Sequence, residues 1–177
     1  MTGLLPPDSS GLFRDGELQE HNFAESSFTE DDVGTGVTEF DLTNVDTSTV
    51  QDMSFMFHRA RSFDQDIGGW DTSTVQDMSG MFSQANLFNQ DISGWDTSTV
   101  QDMSGMFSQA NLFNQDISGW DTSTVQDMSG MFRYAESFDQ DISAWSVNQI
   151  AQKPRRFDED AGFEGVTGKQ PNWGDTC

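Results

Sequence analysis

The sequence predicts a repeat solenoid, with short parallel strands on one face and short irregular helical turns on the other. Three observations lead there. The stretch "DISGWDTSTVQDMSGMFSQANLFNQDISGW" from Asp91 is nearly the same text as the stretch from Asp66, with Gly68 standing where the later copy has Ser93. Aligning the chain on itself gives a period of 25, with units from Asp41, Asp66, Asp91, Asp116 and Asp141, the last decaying after Ile150. Within each unit the apolar residues follow two rhythms, one near 3.6 and one of 2. A fixed period of this length marks an array in which each unit buries its apolar face only against its neighbours.

The first rhythm predicts the helical turns. Val50, Met53, Phe57 and Ala60 are spaced three, four and three apart, as are Val75, Met78, Phe82 and Ala85. Thr49 and Asp52 have the spacing of a capping box, in which a hydroxyl caps the first turn. Gly80, Gly105 and Gly130 fall inside the segment, so one or two irregular turns are expected rather than a long helix.

The second rhythm predicts the strand. In "LFNQDIS", Phe88, Gln90 and Ile92 share one parity while Asn89, Asp91 and Ser93 share the other. Phe and Ile should point inward and the polar set outward, with Gly94 turning the chain and Trp95 covering the corner. Gln65, Gln90, Gln115 and Gln140 then form either an inward, hydrogen-bonded ladder or, if the strand is only Asp-Ile-Ser, a row in the bend. Asp71, Asp96 and Asp121, each before Thr-Ser-Thr, read as turn formers.

The bulk numbers limit the partners. Only 34% of the 177 residues are hydrophobic, yet Phe, Met and Trp recur at fixed places, which fits a core one repeat wide. A net charge of −22 leaves almost no Lys or Arg to displace counterions, so nucleic acid is not expected as a partner. Anionic membrane surfaces are disfavoured by the same charge, and no apolar run approaches the roughly 18 residues of a membrane span. The start, "MTGLLPPDSSGLF", has neither a basic n-region nor a long apolar h-region, so no secretory signal is expected. Cys177 is the single cysteine, which leaves no internal disulfide and no thiolate metal cluster.

The pattern F-N-Q-D-I-S-x-W-D-x-S-x-V-x-x-M-S-x-M-F-x-x-A-x-x-F resembles the BspA-type leucine-rich-repeat surface proteins. It is closest to the variant with twenty-five-residue units, the Mycoplasma-lipoprotein-associated type, found among bacterial lipoproteins and surface proteins. The resemblance covers Asp41 to about Ile150 and extends into "WSVNQIAQKPRRFDEDAGFEGVTGKQPNWGDTC", which is similar to a segment that closes such arrays. It implies a leucine-rich-repeat-like solenoid, no catalytic residues, and a role in adhesion or binding at surfaces. In the closing segment it also implies a Cys after the Trp; this chain has Ser146 there, which leaves Cys177 without that partner.

The domain organisation expected is an N-terminal arm and cap over 1–40, the solenoid over 41–150, and a C-terminal cap over 151–177. Phe23, Ala24 and Phe28 in "FAESSF" echo Ala135 and Phe138, so a worn half-repeat is one reading of the arm, followed by a cap or hairpin in "EDDVGTGVTEF". The Pro/Gly/Ser-rich start reads either as a flexible tail or as an arm docked on a neighbouring chain.

Little in the sequence points to catalysis, which needs distinct groups converging on one place. His21 and His58 have no nucleophile motif near them, and no hydrolase, metalloprotease or nucleotide fingerprint occurs. An enzyme is not expected, nor a cofactor or a resident metal. The candidate binding residues are instead the outward polar columns: Asp66, Asn89, Asp91, Ser93, Asn114, Asp116 and Ser118. Stacked about 4.8 Å apart in a strand column, Asp66, Asp91 and Asp116 would repel unless N–H groups or cations absorb their charge. A divalent-cation site is thus a minor alternative, as is an ice-binding grid of Thr72/Thr74, Thr97/Thr99 and Thr122/Thr124. The expected function is a structural or binding module for a protein partner or adhesion ligand, extracellular or at the cell surface. The rival is a subunit of a larger multi-chain assembly, such as a phage or virus decoration protein on a virion.

Overall fold

The computed structural model describes residues 5, 7–14 and 41–174. Phe57 lies over Phe82, Phe82 over Phe107, and Phe107 over Phe132, with ring centroids 5.6–5.7 Å apart and planes within 9° of parallel. A second column, Phe63, Phe88, Phe113 and Phe138, runs beside it, each ring 3.9–4.1 Å from its partner in the first. The repeats therefore stack coil on coil, in register. All eight rings are fully buried, together with the Val50, Met53, Met56, Ala60 and Ile67 columns. Removing one such ring opens a cavity, at a typical cost of about 3–5 kcal/mol for Phe→Ala.

The coils are not built as expected. A leucine-rich-repeat-like solenoid with strands on one face and helical turns on the other does not form. Among the described residues there is no sheet, and the one complete helical element is a three-residue 3-10 turn, Thr167–Lys169. Extended pairing shrinks to isolated parallel bridges: Asp8 with Asp52, Asp52 with Asp77, Asp77 with Asp102, and Asp102 with Asp127.

The reason lies in the segment from Met53 to Ala60. The N–H groups of Met56, His58 and Ala60 close turns on the carbonyls of Met53, Phe55 and Phe57. The alternate N–H groups, of Met53, Phe55, Phe57 and Arg59, reach the carbonyls of Asp77, Ser79, Met81 and Ser83 in the next coil at 2.8–2.9 Å. Every backbone donor in the segment is accounted for with neither helix nor strand. Phe55 and Arg59 take φ of 55° and 59°, the left-handed region asked for at the third position of a turn. Such a residue every fourth place interrupts both regular structures. Gly80, Gly105 and Gly130 fill the first of these positions in later coils, and Gln84, Gln109 and Tyr134 the second.

Side chains supply the pairing between coils that strands would have supplied. The hydroxyls of Thr47, Thr72 and Thr97 donate forward to the carbonyls of Asp71, Asp96 and Asp121. Those of Thr74, Thr99 and Thr124 donate back to Val50, Val75 and Val100. Trp70, Trp95, Trp120 and Trp145 each donate an indole N–H to a carbonyl 28 residues earlier. The capping box expected at Thr49 and Asp52 is replaced: the Asp52 carboxylate accepts the N–H of Ser54 at 2.8 Å.

Both ends of the stack are covered. Residues 7–14 form a front half-coil: the N–H groups of Ser9, Gly11 and Phe13 reach the carbonyls of Asp52, Ser54 and Met56, and Phe13 stacks on Phe57 at 5.5 Å. This part of the expected arm lies on its own chain. "FAESSF" and "EDDVGTGVTEF" fall outside the described residues, as do His21 and Cys177. At the other end the positive-φ residues recur as Arg156 and Asp160, now 26 residues after Gly130 and Tyr134. That register puts Asp158 where the next Phe of the first column would stand. Asp158 is 5% exposed and is held by Lys153 at 2.6 Å and Gln170 at 2.6 Å. Phe157 and Phe163 meet Phe132 edge-on, at 86° and 89°, so the run of parallel rings stops there.

Candidate binding face

Three aspartates in each coil make the same local structure. In Asp66-Ile-Gly68, Asp91-Ile-Ser93 and Asp116-Ile-Ser118 the carboxylate accepts the N–H two residues on, at 3.0 Å. In Asp71-Thr-Ser73 and Asp96-Thr-Ser98 the same oxygen also takes the serine hydroxyl, and Asp121 is bonded to both the N–H and the hydroxyl of Ser123. The bridge residues Asp77, Asp102 and Asp127 repeat the motif with Ser79, Ser104 and Ser129 at 2.7–2.8 Å. These are Asx-turns, which let a short acidic side chain replace a backbone acceptor at a bend. The turn role expected of Asp71, Asp96 and Asp121 is thus present. Asp66, Asp91 and Asp116, expected in a strand, sit in turns instead.

At Asp91, Asp96, Asp116 and Asp121 the hydrogen bonds also favour the charged form. The Asp91 carboxyl is held below its ordinary value by the Ser93 N–H and then its hydroxyl. Asp116 is lowered by the Ser118 hydroxyl and N–H, while Asp141 and Asp91 in the neighbouring coils push it the other way. Asp96 is lowered by the Ser98 hydroxyl and N–H, against desolvation and the like charge of Asp121. Asp91 and Asp116 are matched acceptors, each bonded to the N–H and hydroxyl of the serine two residues on.

The asparagines are partly committed to the scaffold. Asn114 N–H bonds to the side-chain oxygen of Asn89, and Asp139 N–H to that of Asn114, both at 2.9 Å. Gln115 and Gln140 reach back to the same asparagines, at 2.7 Å and 3.0 Å to their carbonyls. The glutamine column is half-buried and lies in the bend, so the inward amide ladder is not formed. Of the seven expected residues, Asp66, Asn89, Asp91, Ser93, Asn114 and Asp116 are exposed and Ser118 is half-buried. The first threonine of each Thr-x-Thr pair is buried, which removes the exposed grid that ice binding would use. Among the described residues no three carboxylate, imidazole or thiol groups converge as a metal would require.

Two features escaped the sequence reading. Leu87 and Leu112 are each 48% exposed at the same place in successive coils. A pocket of about 400 Å³ opens between Ser143 and the closing segment from Thr167 to Trp173, away from all seven residues. The sequence reading gave the two leucines no role, and the pocket had no signal.

The model of the family described as "Mycoplasma protein of unknown function, DUF285" matches residues 27–118 and again 66–170. The chain belongs to this family. Its two overlapping matches are offset by 39 residues at their starts and together reach from residue 27 into the closing segment. No curated protein and no solved structure matches the chain. No helix among this family member's described residues is long and apolar enough to cross a membrane.

Proposed function

We propose that this chain is a non-enzymatic binding module, presenting a repeated acidic and polar face to a protein partner at a cell surface. The observation that carries the proposal is the in-register recurrence of Asp91, Ser93 and Asn89 as Asp116, Ser118 and Asn114, all held in place by hydrogen bonds already made. A ligand that touches one coil finds the same groups on the next, so contacts add by avidity. Net charge −22 favours a basic partner and speeds its approach. The resemblance to BspA-type surface proteins supports the setting.

The test uses an immobilised Lys/Arg-rich peptide and Asp→Asn substitutions, which keep the acceptor oxygen of each Asx-turn. Asp91→Asn alone should weaken binding slightly. Asp66→Asn, Asp91→Asn and Asp116→Asn together should weaken it far more, with the circular dichroism unchanged. Should one substitution abolish binding while the other two are silent, the function sits in a local site and the repeated face is only its scaffold.

A further inference from the structure

Coils two and three carry one surface strip without charge. At successive coils one surface column reads Arg61, Asn86, Asn111 and Glu136, its two asparagines half-buried, and the next reads Ser62, Leu87, Leu112 and Ser137, of which Ser137 is half-buried. A third column reads Asp64, Asn89, Asn114 and Asp139. The columns are in register, because Leu87, Leu112 and Ser137 donate their N–H groups to the carbonyls of Arg61, Asn86 and Asn111. The middle is therefore two half-exposed leucines among four carboxamides, framed by charges at both ends. Elsewhere the chain is acidic, with no Lys or Arg between Arg61 and Arg133.

We infer that this strip is where a second copy of the chain docks, with the two stacks antiparallel. Read from either end, the leucine column and the Asp/Asn column are the same, and the remaining column exchanges Arg61 for Glu136. A two-fold axis lying across the strip between coils two and three places Leu87 on Leu112 of the other copy. It also opposes Arg61 to Glu136 and brings Asp64 to the Asp139–Lys169 ion pair, whose own separation is 2.7 Å. A two-fold interface must be self-complementary in this way. Self-repulsion of two chains of charge −22 disfavours pairing through the acidic faces, whereas the two middle coils carry no charge along this strip. The asparagine amides are fixed beforehand, Asn86 to Asn111 and Gln109, and Asn111 to Tyr134, so little side-chain freedom is lost on docking. The strip is short, which makes the dimer a reversible one. This inference stands on the leucine strip and does not depend on the proposed partner of the aspartates.

Sedimentation velocity of the full chain over a wide concentration range tests it. A monomer–dimer equilibrium is expected, weakened by about tenfold or more in Leu87→Asp and in Leu112→Asp, with the melting temperature unchanged because both side chains are exposed. Arg61→Glu alone should also weaken it, and Arg61→Glu with Glu136→Arg should restore it. A chain that stays monomeric throughout, or a dimer indifferent to both leucine substitutions, overturns the inference. A double exchange that fails to restore pairing overturns the antiparallel arrangement.

Discussion

The indole N–H of Trp95 donates to the carbonyl oxygen of Ile67 at 3.1 Å, in the coil before its own. The same oxygen also accepts the N–H of Trp70. Replacing Trp95 with Phe removes one of these two bonds and leaves the carbonyl partly satisfied, while the smaller ring leaves a void. The expected loss is about 2 kcal/mol, most of it from packing. Urea denaturation measures it, and a loss above about 4 kcal/mol would show that the indole bond matters more than a shared acceptor allows.

Gly80 and Gly105 have the same left-handed backbone, φ 59° and 61°, but different surroundings. A methyl group on Gly80 would lie 2.5 Å from the ring of Phe55, whereas nothing is within 4 Å at Gly105. Gly105→Ala should cost roughly 1–2 kcal/mol from backbone strain alone. Gly80→Ala should cost more, since Phe55 must swing away. In a Phe55→Gly background the two substitutions should become equal, and thermal melts of the four chains settle it. Phe55→Gly alone should be neutral or stabilising, since Phe55 itself holds φ 55°.

Seven aspartates, Asp41, Asp46, Asp91, Asp96, Asp116, Asp121 and Asp141, have lowered pKa values, through the hydroxyl and N–H two residues on. A carboxyl that is more acidic folded than unfolded stabilises the fold above the unfolded value, about 3.9 for Asp. That contribution is lost as the pH falls through the folded value, because the unfolded chain takes up protons first. The melting temperature should therefore drop below about pH 4. Ser98→Ala and Ser123→Ala, which remove the leading cause at Asp96 and Asp121, should lower the melting temperature at neutral pH and make the acid drop smaller, since the folded values rise toward the unfolded one. If acid instead raises the melting temperature, repulsion between the stacked aspartates outweighs their hydrogen bonds.

Asp158 ends the phenylalanine column in a buried contact with Lys153 and Gln170. Asp158→Ala strands both partners and should cost about 2–3 kcal/mol, below the usual range for a buried pair because Lys153 is 39% exposed and can turn to water. Asp158→Asn should recover part of that, since Gln170 keeps an acceptor. Equal stability in all three chains, by guanidinium denaturation, would mean that the cap is held by its aromatic contacts alone.

The buried columns were legible in the sequence because burial follows spacing, whatever the backbone does. Val50, Met53, Phe57 and Ala60 are inside as the rhythm requires, and Phe88 and Ile92 are inside while Asn89 and Asp91 are out. The backbone itself was misread for the same reason. Turns closed from Met53 to Met56 and from Phe57 to Ala60 put apolar residues three and four apart, as a helix does, so periodicity could not separate them. The distinguishing signals were a glycine at one fixed place, Gly80, Gly105 and Gly130, and three D-x-S or D-x-G triplets in each of the coils from Asp66, Asp91 and Asp116. The front half-coil was missed although "DSSGLFR" at Asp8 resembles "DMSGMFR" at Asp127, because residues 15–40 throw it out of the 25-residue register. The candidate aspartates were found at the surface, but as turn residues. The exposed leucines carried no sequence signal apart from replacing the serines of the outer coils.

The backbone hydrogen bonds that join Met53, Phe55 and Phe57 to Asp77, Ser79 and Met81 point along the stack, whereas the chain winds around it. Tension applied to the two chain ends therefore opens these bonds in sequence rather than in parallel. The molecule should yield like thread drawn from a spool, one coil at a time, at low force. Each step frees about 85 Å of chain, taking roughly 3.4 Å for each extended residue. Because the middle coils share one interface, their steps should be indistinguishable in height. An optical trap would then read the repeat as a series of equal mechanical events.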